Sequence, residues 1–195
     1  MLRPLAVLAF AIWVFITLVL IQVHLRPTFW RKLGALTYLV VLCEWTPIML
    51  AVVFFQDFFL GKELDLGMLS WAGGFLLLLG IGLLGWIVKH LGWRGLIAYS
   101  ELKPQISSQK LITNGPFSLV RHPTYLAHTI LFVGIFLMTG FVGNGLLALL
   151  DFITTYFVIT PMEERELSER FGDDYRRYKQ EVPRFLPWTS AKRTL

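Results

Sequence analysis

The sequence predicts an all-α integral membrane protein with about five transmembrane helices, a C-terminal helical hairpin and a small cytoplasmic cap. Three observations carry this expectation. Of the 195 residues, 55% are hydrophobic. The apolar residues fall in blocks near the ~20 residues a helix needs to cross about 30 Å of hydrocarbon. The basic residues sit between those blocks in an alternating pattern, as the positive-inside rule requires.

The first block covers residues 5 to 23, within MLRPLAVLAFAIWVFITLVLIQV. A basic start before an apolar run also opens a signal peptide, but this run is long for one and no small-x-small cleavage site follows, so a first transmembrane helix is expected. The second block covers residues 33 to 59 and contains Pro47, a candidate kink. The third covers 68 to 88, the fourth 123 to 140 and the fifth 141 to 160. TGFVGNG, residues 139 to 145, is a Gly-rich turn that predicts an antiparallel hairpin of the last two.

Charge orients these helices. Of the 18 lysines and arginines, all but Arg3 and Lys62 fall between blocks one and two, between three and four, or after five. Five spans with the N-terminus outside and the C-terminus cytoplasmic satisfy the positive-inside rule, in a cell's inner membrane. The net charge of +5 therefore points to lipid headgroups rather than nucleic acid. One membrane domain, residues 1 to 195, is expected. It would hold an N-terminal transmembrane hairpin at 1–66 and a core at 67–188. The cytoplasmic loop 89–122 and tail 161–195 are too short to fold alone and should fold on each other. The lone Cys43 excludes an internal disulfide and a CxxC pair, there is no HExxH, and no metal site is expected. Gly73, Gly74, Gly80, Gly82 and Gly85 in the third block suit close helix packing or a cavity wall.

Two clusters carry chemistry. In ITNGPFSLVRHPTYLAH, residues 112 to 128, Asn114–Gly115–Pro116 reads as a turn and Pro123 suits the first turn of a helix. Arg121 and His122 then stand at a helix N-terminus, where an anion is welcome, with Tyr125 one turn on. Anchoring to headgroups explains that placement equally well. In TPMEERELSERFGDDYRRYKQEVPRFLPW, residues 160 to 188, Glu163 and Glu164 follow a membrane exit, and a short helix over 163–171 breaks near Gly172. The two acids are either a solvated face or a grip for a cation. Arg121 and His122 for a carboxylate, with Glu163 and Glu164 for an ammonium, would suit a zwitterionic amino-acid group such as that of S-adenosylmethionine. Aromatic faces would suit its adenine and sulfonium.

These two stretches resemble the isoprenylcysteine carboxyl methyltransferase and phospholipid methyltransferase superfamily. Its usual form is G-P-Y-x-x-x-R-H-P-x-Y, a hydrophobic hairpin, then E-E-x-x-L, F-G-x-x-Y-x-x-Y and V-P-R. The resemblance covers residues 88 to 188. It runs through Gly115, Pro116, Arg121, His122, Pro123 and Tyr125, then through Glu163, Glu164, Leu167, Phe171, Gly172, Tyr175, Tyr178, Val182, Pro183 and Arg184. Phe117 replaces the usual Tyr and Ala127 a common Gly.

The resemblance implies an enzyme that uses S-adenosylmethionine to methylate a lipidic or small hydrophobic acceptor at the cytoplasmic face. Gly115, His122, Tyr125, Glu163 and Glu164 would bind the donor. Arg121, His122 and Glu164 would stand at the reacting centre, with Arg184 shaping the pocket. A carboxylate acceptor needs no base, whereas an amine or thiol must lose a proton, and His122 is the first candidate to take it. Glu44, Asp57 and Asp151 lie inside apolar blocks, where acids pair or line cavities. Glu44 is either substrate-related or an interhelical hydrogen-bond partner. An NADPH-dependent sterol-type reductase is the alternative enzyme. A transporter or scaffold is the non-enzymatic one, although no internal duplication is visible.

Overall fold

The computed structural model describes residues 2–96 and 110–187. Lys103 and residues 188 to 195, counted above with the cytoplasmic segments, lie outside them. The described residues are almost wholly helical, with a single isolated β-bridge, Glu63 to Phe141. The helices are α1 (Arg3–Leu25), α2 (Pro27–Leu33), α3 (Leu36–Phe54), α4 (Gln56–Leu60) and α5 (Leu69–Leu96), then α6 (Pro123–Thr139), α7 (Val142–Thr154), α8 (Thr160–Phe171) and α9 (Asp173–Glu181). A 3₁₀ turn, Gly115–Ser118, precedes α6, and a π-helical turn, Thr155–Ile159, joins α7 to α8.

Four helical stretches among the described residues are long and apolar enough to cross a membrane: Arg3–Leu25, Leu36–Phe54, Leu69–Trp93 and Val142–Phe171. The expected fourth span, α6, is apolar but only 17 residues long. At 1.5 Å per residue it reaches about 25 Å, short of a typical hydrocarbon core. The last span is also longer than its apolar block, because helix continues from α7 through the π turn into the polar α8. Pro161 gives the reason. Proline lacks the N–H for the bond to the carbonyl four residues back and its ring crowds that carbonyl, and a widened turn relieves both.

The exterior is what an apolar solvent selects. Leu39, Phe58, Trp71, Phe75, Leu78 and Phe157 are all exposed, whereas in water such a belt would be an association surface. Inside, Ala9, Phe132, Ile135, Leu147 and Ala148 join α1, α6 and α7. Val19, Val23, Trp30 and Val41 join α1, α2 and α3. Pro47 leaves α3 a single helix.

Gly140, at φ 74, ends α6, and α7 begins two residues later. Phe136 lies against Gly145 and Thr129 donates to Asp151 at 3.0 Å, so α6 and α7 run antiparallel. The turn is tied to the segment before α5, where Leu64 donates to the Gly140 carbonyl and Val142 to that of Lys62.

The glycines of α5 sort by neighbour. A Cβ on Gly73 would lie 2.5 Å from the backbone nitrogen of Met138, and one on Gly80 would lie 2.6 Å from Leu131. Gly74, Gly82 and Gly85 face open space, and none of the five lines the cavity described below. Close packing of α5 on α6 is therefore what Gly73 and Gly80 serve. The intramembrane acids are partnered: Gln22 donates to Glu44, Arg3 pairs with Asp57, and Thr129 donates to Asp151.

Candidate active site

The segment leading into α6 and the segment leaving α9 lie side by side. The Arg121 amide donates to the Pro183 carbonyl at 2.9 Å, and the His122 amide to that of Arg184 at 3.2 Å. The Tyr178 hydroxyl donates to the Phe117 carbonyl at 2.6 Å, tying α9 to the 3₁₀ turn. Two stretches about 60 residues apart in sequence thus share one backbone frame, over the end of α8 that carries Glu163 and Glu164.

The two glutamates occupy different places. Glu164, 3% exposed, is a hub for four cations. Arg184 grips it with Nε at 3.1 Å and Nη2 at 2.9 Å. Arg121 Nη2 donates at 2.7 Å, Lys179 Nζ lies at 2.9 Å, and His122 Nε2 at 3.2 Å. A carboxylate offers about four lone-pair sites, and here they are taken. Arg121 also donates to the carbonyls of Lys179 and Val182. Glu164 does not line the cavity.

Glu163 does line it. His122 Nδ1 stands 3.3 Å from Glu163 Oε2, an ion-pair distance. His122 therefore faces a carboxylate from each ring nitrogen. Burial disfavours its charged form, but Glu163 and then Glu164 outweigh that, and the pKa is held above the ordinary 6.5. The ring stacks on Tyr125 at 5.7 Å between centroids and tilts toward Phe185 at 6.0 Å. Arg184 lies over the Tyr156 ring at 5.4 Å. The π turn shifts the register between α7 and α8, and in this arrangement Tyr156 and Glu164 both meet Arg184.

The cavity measures about 950 Å³, at the upper end of ordinary small-molecule sites. Its polar part holds Lys89, Lys110, Arg121, Glu163 and Arg170, with the aromatic rings of Phe117, Tyr125, Phe171, Tyr175 and Tyr178 beside them. Phe15, Ile16, Val19 and Leu20 of α1 and Leu84 and Leu91 of α5 add apolar side chains to the same wall.

Arg121, His122, Tyr125 and Glu163 thus share the cavity wall, with Glu164 and Arg184 bonded to one another behind it. Gly115 supports the wall instead. It has φ 60, and a Cβ there would lie 2.4 Å from Nε2 of His90, a lining residue. Sequence reasoning missed His90, Lys179 and the contribution of α1, including His24. Nothing in an apolar run of ordinary composition marks Phe15 or Leu20 as lining. His24 sits near the α1 end beside Arg26, a weak signal that was available.

Residues 68–174 match the family model described as phospholipid methyltransferase. Over 74 residues the chain is 39% identical to methanethiol S-methyltransferase 1 of Bradyrhizobium diazoefficiens, covering 37% of this chain and 24% of that one. Over 119 residues it is 31% identical to the nickel-cobalt-cadmium resistance protein NccN of Alcaligenes xylosoxydans xylosoxydans, covering 60% and 53%. Methanethiol S-methyltransferase 2 of the same Bradyrhizobium is 32% identical over 130 residues, covering 60% and 48%. The chain spans between about a quarter and a half of the length of these relatives. No solved structure matches it. Since the matched region is more than half of the chain and contains Gly115, Arg121, His122, Tyr125, Glu163 and Glu164, this protein belongs to the phospholipid methyltransferase family.

Proposed function

We propose that this chain is an S-adenosylmethionine-dependent methyltransferase acting on a lipidic or small hydrophobic acceptor at the cytoplasmic membrane face. The observation that carries the reading is the Glu163 carboxylate on a cavity wall that also presents lysines, arginines and aromatic rings. An α-amino group suits the first, an α-carboxylate the second, and adenine or a sulfonium the third. The same cavity carries apolar side chains from α1 and α5, which suit an acceptor delivered from lipid.

S-adenosylmethionine, when bound, supplies an already activated methyl group. Glu163 and Tyr125 form the wall on which the donor is held, and Lys89, Lys110, Arg121 and Arg170 surround its carboxylate. Glu164 acts through others: it clamps Arg121, His122 and Arg184 so that the wall keeps one geometry. Catalysis then rests on orientation and on excluding water. The wider superfamily methylates isoprenylcysteine-carboxylate-like and phospholipid-amine-like acceptors, whose hydrocarbon parts suit such apolar side chains. The five-span topology, with the C-terminus cytoplasmic, is part of the same proposal and puts the polar cap beside the soluble donor.

The test is calorimetric titration of the protein in nanodiscs with S-adenosylmethionine and, separately, NADPH. Glu163→Gln exchanges a charge-assisted contact of ~1.5–3 kcal/mol for a weaker one, so donor affinity should fall about 10- to 100-fold. Binding of NADPH with none of S-adenosylmethionine would overturn the reading in favour of a reductase.

A further inference from the structure

The four histidines of this chain stand in four electrostatic settings, and only one suits a proton acceptor. Both nitrogens of His122 face carboxylates. His24 Nδ1 faces Glu166 at 3.2 Å. His90 Nδ1 lies 3.0 Å from the Trp86 carbonyl, and its Nε2 edge is pressed against Gly115. His128 also lines the cavity, yet among the described residues its ring meets no carboxylate or carbonyl, only the edge of Tyr125 at 6.3 Å. It sits on α6 six residues beyond His122, about 9 Å further along the helix axis.

Resting on the donor reading above, we propose that His128 is the general base of the reaction and that the acceptor is a neutral, apolar thiol. Among the described residues no carboxylate or carbonyl engages this imidazole, so a ring nitrogen is available to a proton from a molecule in the cavity. Both ring nitrogens of His122 already face carboxylates, so neither is turned to a substrate proton. An ammonium acceptor would have to be stripped of water with no carboxylate described beside His128. A thiol behaves as a small hydrophobe with a weak S–H donor and crosses the same wall at little cost. A carboxylate acceptor would leave His128 without a role.

The step balances. The acceptor sulfur forms a bond to the methyl carbon, and the bond from that carbon to the sulfonium breaks with its electron pair passing to the donor sulfur. The thiol proton passes to a ring nitrogen of His128 and then to solvent. The positive charge lost from the sulfonium reappears on the imidazolium, so the net charge of the cavity is unchanged.

The experiment uses the full chain in nanodiscs, wild type and His128→Ala. Donor affinity is measured by calorimetry. Methylation is followed with 1-octanethiol, which is protonated at neutral pH, and with 4-fluorothiophenol, a far stronger acid. Carbethoxylation of His128 by diethyl pyrocarbonate is mapped by peptide mass with and without octanethiol, in the absence of donor. The expected result is protection of His128 by the alkanethiol, an unchanged donor affinity in His128→Ala, a loss of about 100-fold with octanethiol and less than 10-fold with the arenethiol. Equal losses with both thiols or no protection would overturn the assignment of His128, and no methylation of either thiol by donor-binding wild type would overturn the thiol acceptor with it, the donor reading standing in each case. Wild type that binds no donor overturns the donor reading itself. A His128→Ala protein that does not fold leaves the wild-type protection experiment to decide.

Discussion

Replacing Glu164 by Gln keeps the shape of a 3%-exposed side chain and removes the negative charge that four cations share. The partners do not count equally. Lys179 is 46% exposed, so its ion pair is screened and contributes little. Arg121 is 8% exposed and bonded at 2.7 Å, and Arg184 is 28% exposed and bonded by two nitrogens. Breaking a buried pair by removing one partner costs about 3–5 kcal/mol, because the remaining charges stay buried without compensation. One amide oxygen still accepts, and water reaches Lys179, so the lower end, about 3 kcal/mol, is expected. For a chain of this size that is about 6–12 °C in Tm. The assay is thermal unfolding in detergent. Arg184→Met should be costly alone but should recover part of the Glu164→Gln loss in the double variant, giving a coupling of about 1–3 kcal/mol. A shift in Tm below 2 °C for Glu164→Gln, with no coupling to Arg184, would refute the reading of Glu164 as the hub of the site.

Three further outcomes follow from the same geometry. His122 is held above its ordinary pKa of 6.5, so its charged form contributes stability that is complete below about pH 6.5 and is lost as pH rises through the higher folded value; Tm measured against pH should show that decline, and His122→Gln should flatten it. Gly115→Ala places a Cβ 2.4 Å from His90 at φ 60, so it should destabilise by about 1–3 kcal/mol; adding His90→Ala should remove the clash but leave the backbone cost, as chemical denaturation would show. Gly73→Ala would push a Cβ to 2.5 Å from the Met138 nitrogen and should separate α5 from α6, whereas Gly74→Ala meets open space and should change Tm little.

The helical character of the chain and most of its apolar segments were legible in sequence because both depend on local composition. A run such as residues 5 to 23 is apolar on all sides, and hydrocarbon leaves such a backbone only the helix in which to satisfy its polar groups. The helix break at Gly172 and the start of α6 at Pro123 were legible for the same local reason, since φ 56 favours glycine and a first-turn proline needs no donor. Tertiary structure decided the rest. Glu163 and Glu164 are neighbours in sequence and alike in chemistry, yet one lines a cavity and the other is enclosed by Arg121, His122, Lys179 and Arg184. That division depends on where the residues around 121 and 184 meet, and the backbone bonds that join them span about 60 residues. The same holds for His128. Its neighbours in sequence show only a histidine inside an apolar helix; the cavity it lines is closed by α1, α5 and the segment around 170, and no window of sequence contains them.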